Sequence, residues 1–284
     1  MNELDIKTSY GTIHVYRKGN GRKNLVLIHG SGCDNAMLSW FEVIQNFNNE
    51  YTIYAPDLLG YGMSDKPTNL CGKKFYNIHI QSIKQVTEQL GLATFILAGL
   101  SMGGAIAIGY ALNYPLQVQA LFPVDTWGIS PSLPFHHLSY WYIHKTNFTI
   151  SQYKWIAKNK WLAKWFIGYS LIGNKKKITA KIVEEVWKAC KNDNAGKSMQ
   201  DYQRSSCDKN RTIPFYKNEL NKLEMPVIFI NGECDNLVPI KYLDGIKEIL
   251  PNAKVYILQS CKHWSVKEKP EEFFNIVQTN TKDL

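Results

Sequence analysis

Six short apolar runs, separated by segments of helical period, constrain this chain more than any other feature. The runs are "NLVLIHG" (24–30), "YTIYAPD" (51–57), "TFILAG" (94–99), "ALFPVD" (120–125), "PVIFING" (226–232) and "AKVYILQ" (253–259). Each is strand length and ends at or beside Gly, Pro or a polar residue, as buried strands do. Between or after them lie "MLSWFEVIQNF" (37–47), "IHIQSIKQVTEQLG" (78–91), "MGGAIAIGYALNYP" (102–115), "PIKYLDGIKEILP" (239–251) and "PEEFFNIVQT" (270–279), which read as helices. Strands alternating with helices predict an α/β fold with a mostly parallel central sheet and helices on both faces. In such sheets, sites form at the carboxyl ends of the strands. "LDIKTSYGTIHVYRKG", near the start, reads as a hairpin added to that sheet.

The alternation stops between about Thr126 and Phe215. This stretch is helix-like and holds six of the eight tryptophans: Trp127, Trp141, Trp155, Trp161, Trp165 and Trp187. It carries 15 Lys+Arg against 5 Asp+Glu, a net +10, whereas the remainder has 18 against 19. The basic character of the chain therefore belongs to one insert. The reading is a core of residues 1–125 and 216–284 with a helical insert at 126–215.

The strand at 94–99 runs into "GLSMGG" and then directly into a helix. Gly99 and Gly103 flank Ser101, a spacing that lets a strained turn hold a serine out for attack at a helix N-terminus. The bare pentapeptide also occurs in ordinary glycine-rich loops; the strand before it and the helix after it favour the nucleophile. A serine hydroxyl needs a base, and the base an orienting acid. Asp235 follows the strand at 226–232 and His263 follows the strand at 253–259, so both loops point to the same sheet edge. Asp235 also has a plain reading, as the cap of the helix starting near Pro239, and His263 as a surface histidine. Backbone N–H groups for an oxyanion hole are expected from Ser31, with Gly32 as second choice, and from Met102. His29 reads as a brace for that loop.

With these motifs in order, "HGSG", "APDLLGYGMSDKP", "GLSMGG", "NGECDNLVP" and "CKHW", the chain resembles an α/β-hydrolase. The resemblance implies Ser101 as nucleophile, Asp235 as acid and His263 as base. Some relatives place the acid one strand earlier, which makes Asp125 the reserve. "DLLGYGMSDKP" is similar to a loop of dehalogenase- and epoxide-hydrolase-like relatives, but those carry Asp where this chain has Ser101. The resemblance also implies that the insert is a helical cap over the site, lining an apolar pocket. The expected activity is hydrolysis of an ester or related acyl compound through an acyl-enzyme, without cofactor or metal. Alternatives are a cofactor-free perhydrolase, a hydrolase of carbon–carbon bonds, and a non-catalytic small-ligand receptor. The expected partner is a small molecule with an apolar moiety, not a nucleic acid.

Four further signals remain. "SQYKWIAKNKWLAKWFIGYSLIGNKKK" reads as one helix with Trp155, Leu162, Phe166 and Tyr169 on a stripe. A helix packed on the core with solvated lysines is the preferred reading; weak contact with anionic membranes is the sharper one. Cys33, Cys234 and Cys261 lie beside the expected site loops, as small buried residues or as points of thiol sensitivity. His136, His137 and His144 lack the companions of a recognised metal spacing. The N-terminus has no basic segment followed by an apolar one, so a cytoplasmic location is expected.

Overall fold

The computed structural model describes residues 1–192 and 194–284. The strands are β1 (Asn2–Thr8), β2 (Gly11–Lys18), β3 (Lys23–Ile28), β4 (Tyr51–Pro56), β5 (Phe95–Leu100), β6 (Val118–Val124), β7 (Ile228–Gly232) and β8 (Lys254–Leu258). They form one sheet of eight strands in the order β1-β2-β4-β3-β5-β6-β7-β8. β1 pairs antiparallel with β2, and β2 with β4; every later pairing is parallel. The fold class is thus the α/β arrangement expected from the alternation, with the hairpin at one edge.

The helices are α1 (Ala36–Asn46), α2 (Phe75–Gln89), α3 (Met102–Asn113), α4 (His136–Lys145), α5 (Phe148–Lys158), α6 (Lys160–Phe166), α7 (Ala180–Cys190), α8 (Ala195–Ser206), α9 (Ile246–Ile249), α10 (Ser265–Glu268) and α11 (Pro270–Asn280). Successive side chains of a strand point to opposite faces, so each central strand feeds two cores. Val26, Ile28, Leu97 and Leu121 pack with α2 and α3 on one face. Leu25, Leu27, Ala98 and Phe122 pack with Trp40 of α1 and Phe273 of α11 on the other. β4 and β5 are buried along their whole length because both faces are covered.

Two expected helices differ. Residues 239–251 form a 3₁₀ turn (Ile240–Leu243) and then α9, because Asp244 is extended and Gly245 takes φ 72°. The tryptophan-rich segment breaks at Asn159, which is extended and whose side chain accepts from Trp161 N at 2.9 Å, opening α6. α6 passes into a π-helical turn at Ile167–Leu171. The expected stripe is therefore split: Phe166 faces inward, whereas Trp155 and Tyr169 face solvent.

α4 to α8 all lie between β6 and β7, and the chain enters and leaves this insert side by side. Tyr216 N donates to Gly128 O at 2.7 Å, Trp127 Nε1 to Ile213 O at 3.0 Å, and Thr212 N to Pro131 O at 3.2 Å.

Close approach dictates the glycines around β5. A Cβ on Gly103 would lie 2.4 Å from His29 O and 2.5 Å from Ile28 O, both backbone atoms of the neighbouring strand end. Gly103→Ala is expected to lower Tm by roughly 5–10 °C, as a strained core substitution of about 2–4 kcal/mol would. A thermal melt followed by circular dichroism checks it; an unchanged Tm would mean that the turn relaxes freely.

Candidate active site

β5 delivers Ser101 to the carboxyl edge of the sheet, and α3 starts at the next residue. Ser101 has φ 54° and ψ −117°, a backbone state that only a constrained turn holds. The constraint is visible in its bonds. Ser101 N donates to Val124 O at 2.9 Å, and Ser101 O accepts from Gly104 N, Trp127 N and Ala105 N at 2.9, 3.1 and 3.2 Å.

The loops after β7 and β8 converge on this serine. His263 Nε2 lies 2.9 Å from Ser101 Oγ, and His263 Nδ1 lies 2.7 Å from Asp235 Oδ2. With Nδ1–H given to the carboxylate, Nε2 is left to accept the serine hydroxyl proton. The other Asp235 oxygen accepts from Leu237 N at 2.8 Å and Val238 N at 2.9 Å. One oxygen thus holds the turn at 237–238 and the other faces the imidazole; the 3₁₀ turn from Ile240 has Pro239, not Asp235, at its cap. Burial pulls the His263 pKa down, but the Asp235 charge and hydrogen bond, with Asp125 and Asp34 adding, leave it above its ordinary value.

Asp125, the reserve acid, is bound elsewhere. Its Oδ1 accepts from Gly232 N at 2.7 Å, and its Oδ2 from Ser265 Oγ at 2.7 Å and Ser265 N at 3.2 Å. It ties the ends of β6 and β7 to α10. Burial, reinforced by the nearby Asp235 charge, pushes its carboxyl up to about 7.

The loop after β3 is built from its own side chains. Asp34 Oδ2 accepts from Gly30 N at 2.8 Å and from Ser39 Oγ at 2.6 Å. His29 Nδ1 donates to Gly30 O at 2.7 Å, and its Nε2 accepts from Leu58 N at 2.9 Å, so both nitrogens brace the loop. Among the described residues, the N–H groups of Ser31, Gly32 and Met102 have no acceptor. Met102 N–H is the first of α3, and the Gly30 and Ser31 backbone lines the same cavity as Ser101.

That cavity has a volume of ≈ 250 Å³. An apolar hole of about 150 Å³ accepts benzene, so there is room for a larger apolar group. The core contributes Leu38, Leu100 and Val238; the insert contributes Trp127, Leu133, Ile143, Phe166, Met199 and Tyr202. Among the described residues no lysine or arginine lines it. Tyr153 of α5 is a lining residue that sequence reasoning missed. Its hydroxyl stands 2.6 Å from where a Gly32 Cβ would be, so Gly32 is what admits it to the loop. Nothing in the spacing of the sequence pairs residues 32 and 153.

The other polar signals resolve into packing. His136 accepts from Leu133 N and donates to Asp208 O, while His144 donates to Cys207 O, pinning α4 to the end of α8. His137 lies beside His136. The Cys33 thiol is raised by its hydrogen bond with Cys190 and by burial, and burial pushes Cys261 up to about 12. Neither is an activated thiolate. Cys234 is exposed. Among the described residues, no helix is long and apolar enough to cross a membrane.

A family model described as alpha/beta hydrolase fold matches residues 23–270. A 2-hydroxy-6-oxononadienedioate/2-hydroxy-6-oxononatrienedioate hydrolase of Paraburkholderia phymatum is 25% identical over 92% of this chain and 88% of its own. An uncharacterized carboxylesterase of Bacillus subtilis is 25% identical over 93% of this chain and 81% of its own. Among solved structures, a 2-hydroxy-6-oxo-6-phenylhexa-2,4-dienoate hydrolase from a Rhodococcus species superposes with a TM-score of 0.80 at 19% identity, covering 99% of this chain and 98% of that one.

Proposed function

The chain belongs to the α/β-hydrolase fold family, and from that membership we propose that it is a serine hydrolase of an ester or related acyl substrate with an apolar acyl group. The carrying observation is the continuous relay from Ser101 Oγ through His263 to Asp235, at 2.9 and 2.7 Å, on the floor of an apolar cavity. Ser101 attacks the acyl carbon as His263 Nε2 takes its proton. Asp235 holds the ring and offsets the charge of the imidazolium. The N–H groups of Ser31 and Met102 receive the oxyanion, Gly32 being the neighbouring donor. His263 returns the proton to the leaving alcohol, then activates water to release the acid. Residues 126–215 act as the cap over this site, and 1–125 with 216–284 as the core.

Hydrolysis of a carbon–carbon bond is the second reading, and the names of the relatives favour it. A dienedioate carries two carboxylates, whereas the described cavity wall offers no lysine or arginine to receive them. Neutral acyl substrates fit that wall better. A p-nitrophenyl ester series of increasing acyl length is expected to give turnover that rises with chain length and falls once the cavity is filled. A 2-hydroxy-6-oxo-dienedioate is expected to turn over at least about 100-fold more slowly, in line with the loss that unpaired buried polar groups impose. The reverse ranking would replace the ester reading with the carbon–carbon one.

A further inference from the structure

α6 and the π-helical turn that continues it are together apolar on two sides. Ala163 and Ile167 are buried and Phe166 faces the cavity, which accounts for one side. On the other, Trp161, Trp165 and Tyr169 recur at i, i+4 and i+8 and are 66%, 54% and 58% exposed. A solvent-facing stripe is ordinarily polar. The stripe is ordered: the Trp165 and Tyr169 rings stack at 5.1 Å with an interplanar angle of 8°. Trp155 on α5 adds a fourth exposed ring, in edge contact with Phe148. Lys154, Lys158 and Lys164 lie among these rings, and none has an ion-pair partner among the described residues. The insert as a whole carries a net +10 beside a nearly neutral remainder.

The ledge also borders the way into the site. Asn236 Nδ2 donates to Tyr169 O at 3.2 Å, and Lys262 Nζ donates to Gly168 O and Tyr169 O at 2.7 and 2.8 Å. The next residue, Leu237, lines the cavity and is 47% exposed, so the cavity reaches the surface beside the ledge.

We propose that this tryptophan–lysine ledge docks the protein on an anionic lipid surface, with the mouth of the cavity at the level of the headgroups. Indole and phenol rings settle at the boundary of headgroup and acyl chain, and unpaired lysines are drawn to anionic lipid. An apolar substrate dissolved in the bilayer would then enter without crossing water. Docking does not depend on the catalytic reading above.

The test is co-sedimentation with phosphatidylcholine vesicles, with and without about a quarter phosphatidylglycerol. Wild type and Ser101→Ala are expected to bind the anionic vesicles alike, to ignore pure phosphatidylcholine, and to release as salt is raised to about 1 M. Trp161→Ala/Trp165→Ala is expected to bind at least tenfold more weakly, on the order of what losing two interfacial anchors implies, while hydrolysing a water-soluble ester at the wild-type rate. Wild type that stays in the supernatant at low salt would overturn docking, as would a double variant that binds undiminished. Self-association of wild type that the double variant lacks, with no vesicle binding, would assign the ledge to a second copy of the chain instead.

Discussion

Ser101→Ala should lose about 10⁴- to 10⁶-fold in kcat on the best ester while keeping its fold, the range seen when a nucleophile that acts as part of a relay is removed. The loss should be in kcat with little change in KM, because the cavity that binds the acyl group is untouched. Among the described residues Ser101 Oγ has one partner, His263 Nε2. The turn itself is held by backbone bonds from Val124, Gly104 and Trp127. Removing the hydroxyl therefore removes chemistry and leaves structure. Stopped-flow burst kinetics on wild type and steady-state rates on the variant check this. A variant retaining more than about a hundredth of the activity would place the nucleophile elsewhere or point to direct attack by water.

Asp235→Asn should cost about 10⁴-fold in kcat, with a distinctive pH signature. The carbonyl oxygen of the new amide can keep the turn bonds to Leu237 N and Val238 N. Its NH₂ would then face His263 Nδ1, forcing the tautomer whose Nε2 carries a proton toward Ser101. The sign of the pH effect follows from the imidazole. Catalysis needs it neutral, so kcat/KM rises as pH climbs through its pKa, which in wild type lies above 6.5. Without the Asp235 charge, burial is left to dominate, so the acid limb of the residual activity moves to lower pH. Asp125, which burial pushes up to about 7, also interacts with this imidazole, so the limb reports both groups and not His263 alone. Asp125→Asn is the comparison. It should lower Tm, through weakened bonds to Gly232 and Ser265, and cost far less in kcat. Equal losses in both variants would make Asp125 a second participant.

The middle of the sheet was legible because β3 to β7 are buried over most of their length and therefore read as unbroken apolar runs. α2 begins at Phe75, three residues before its apparent start, since Lys74 supplies no capping side chain to mark it. Gly245 and Asn159 are breaks whose chemistry is visible in hindsight. Position alone does not separate Asp125 from Asp235, as each follows a strand at the same sheet edge; what differs is that Asp125 accepts from Gly232 and Ser265 while Asp235 Oδ2 faces His263 Nδ1. Tyr153 was invisible for a different reason: its reach to Gly32 depends on how α5 lies over the core, and helix packing leaves no local trace in sequence.

The paired strands of chain between Trp127–Pro131 and Thr212–Tyr216 form a single stalk, through which the whole stretch above the sheet departs and returns. Lengthening that stretch costs little in chain entropy, because the entropy of closing a loop grows only by about 0.6 kcal/mol for each doubling of its length. A foreign helical segment grafted between Gly128 and Tyr216 would have to restore the bonds that Tyr169 and Leu171 make to Asn236 and Trp264, because those bonds fall next to Asp235 and His263.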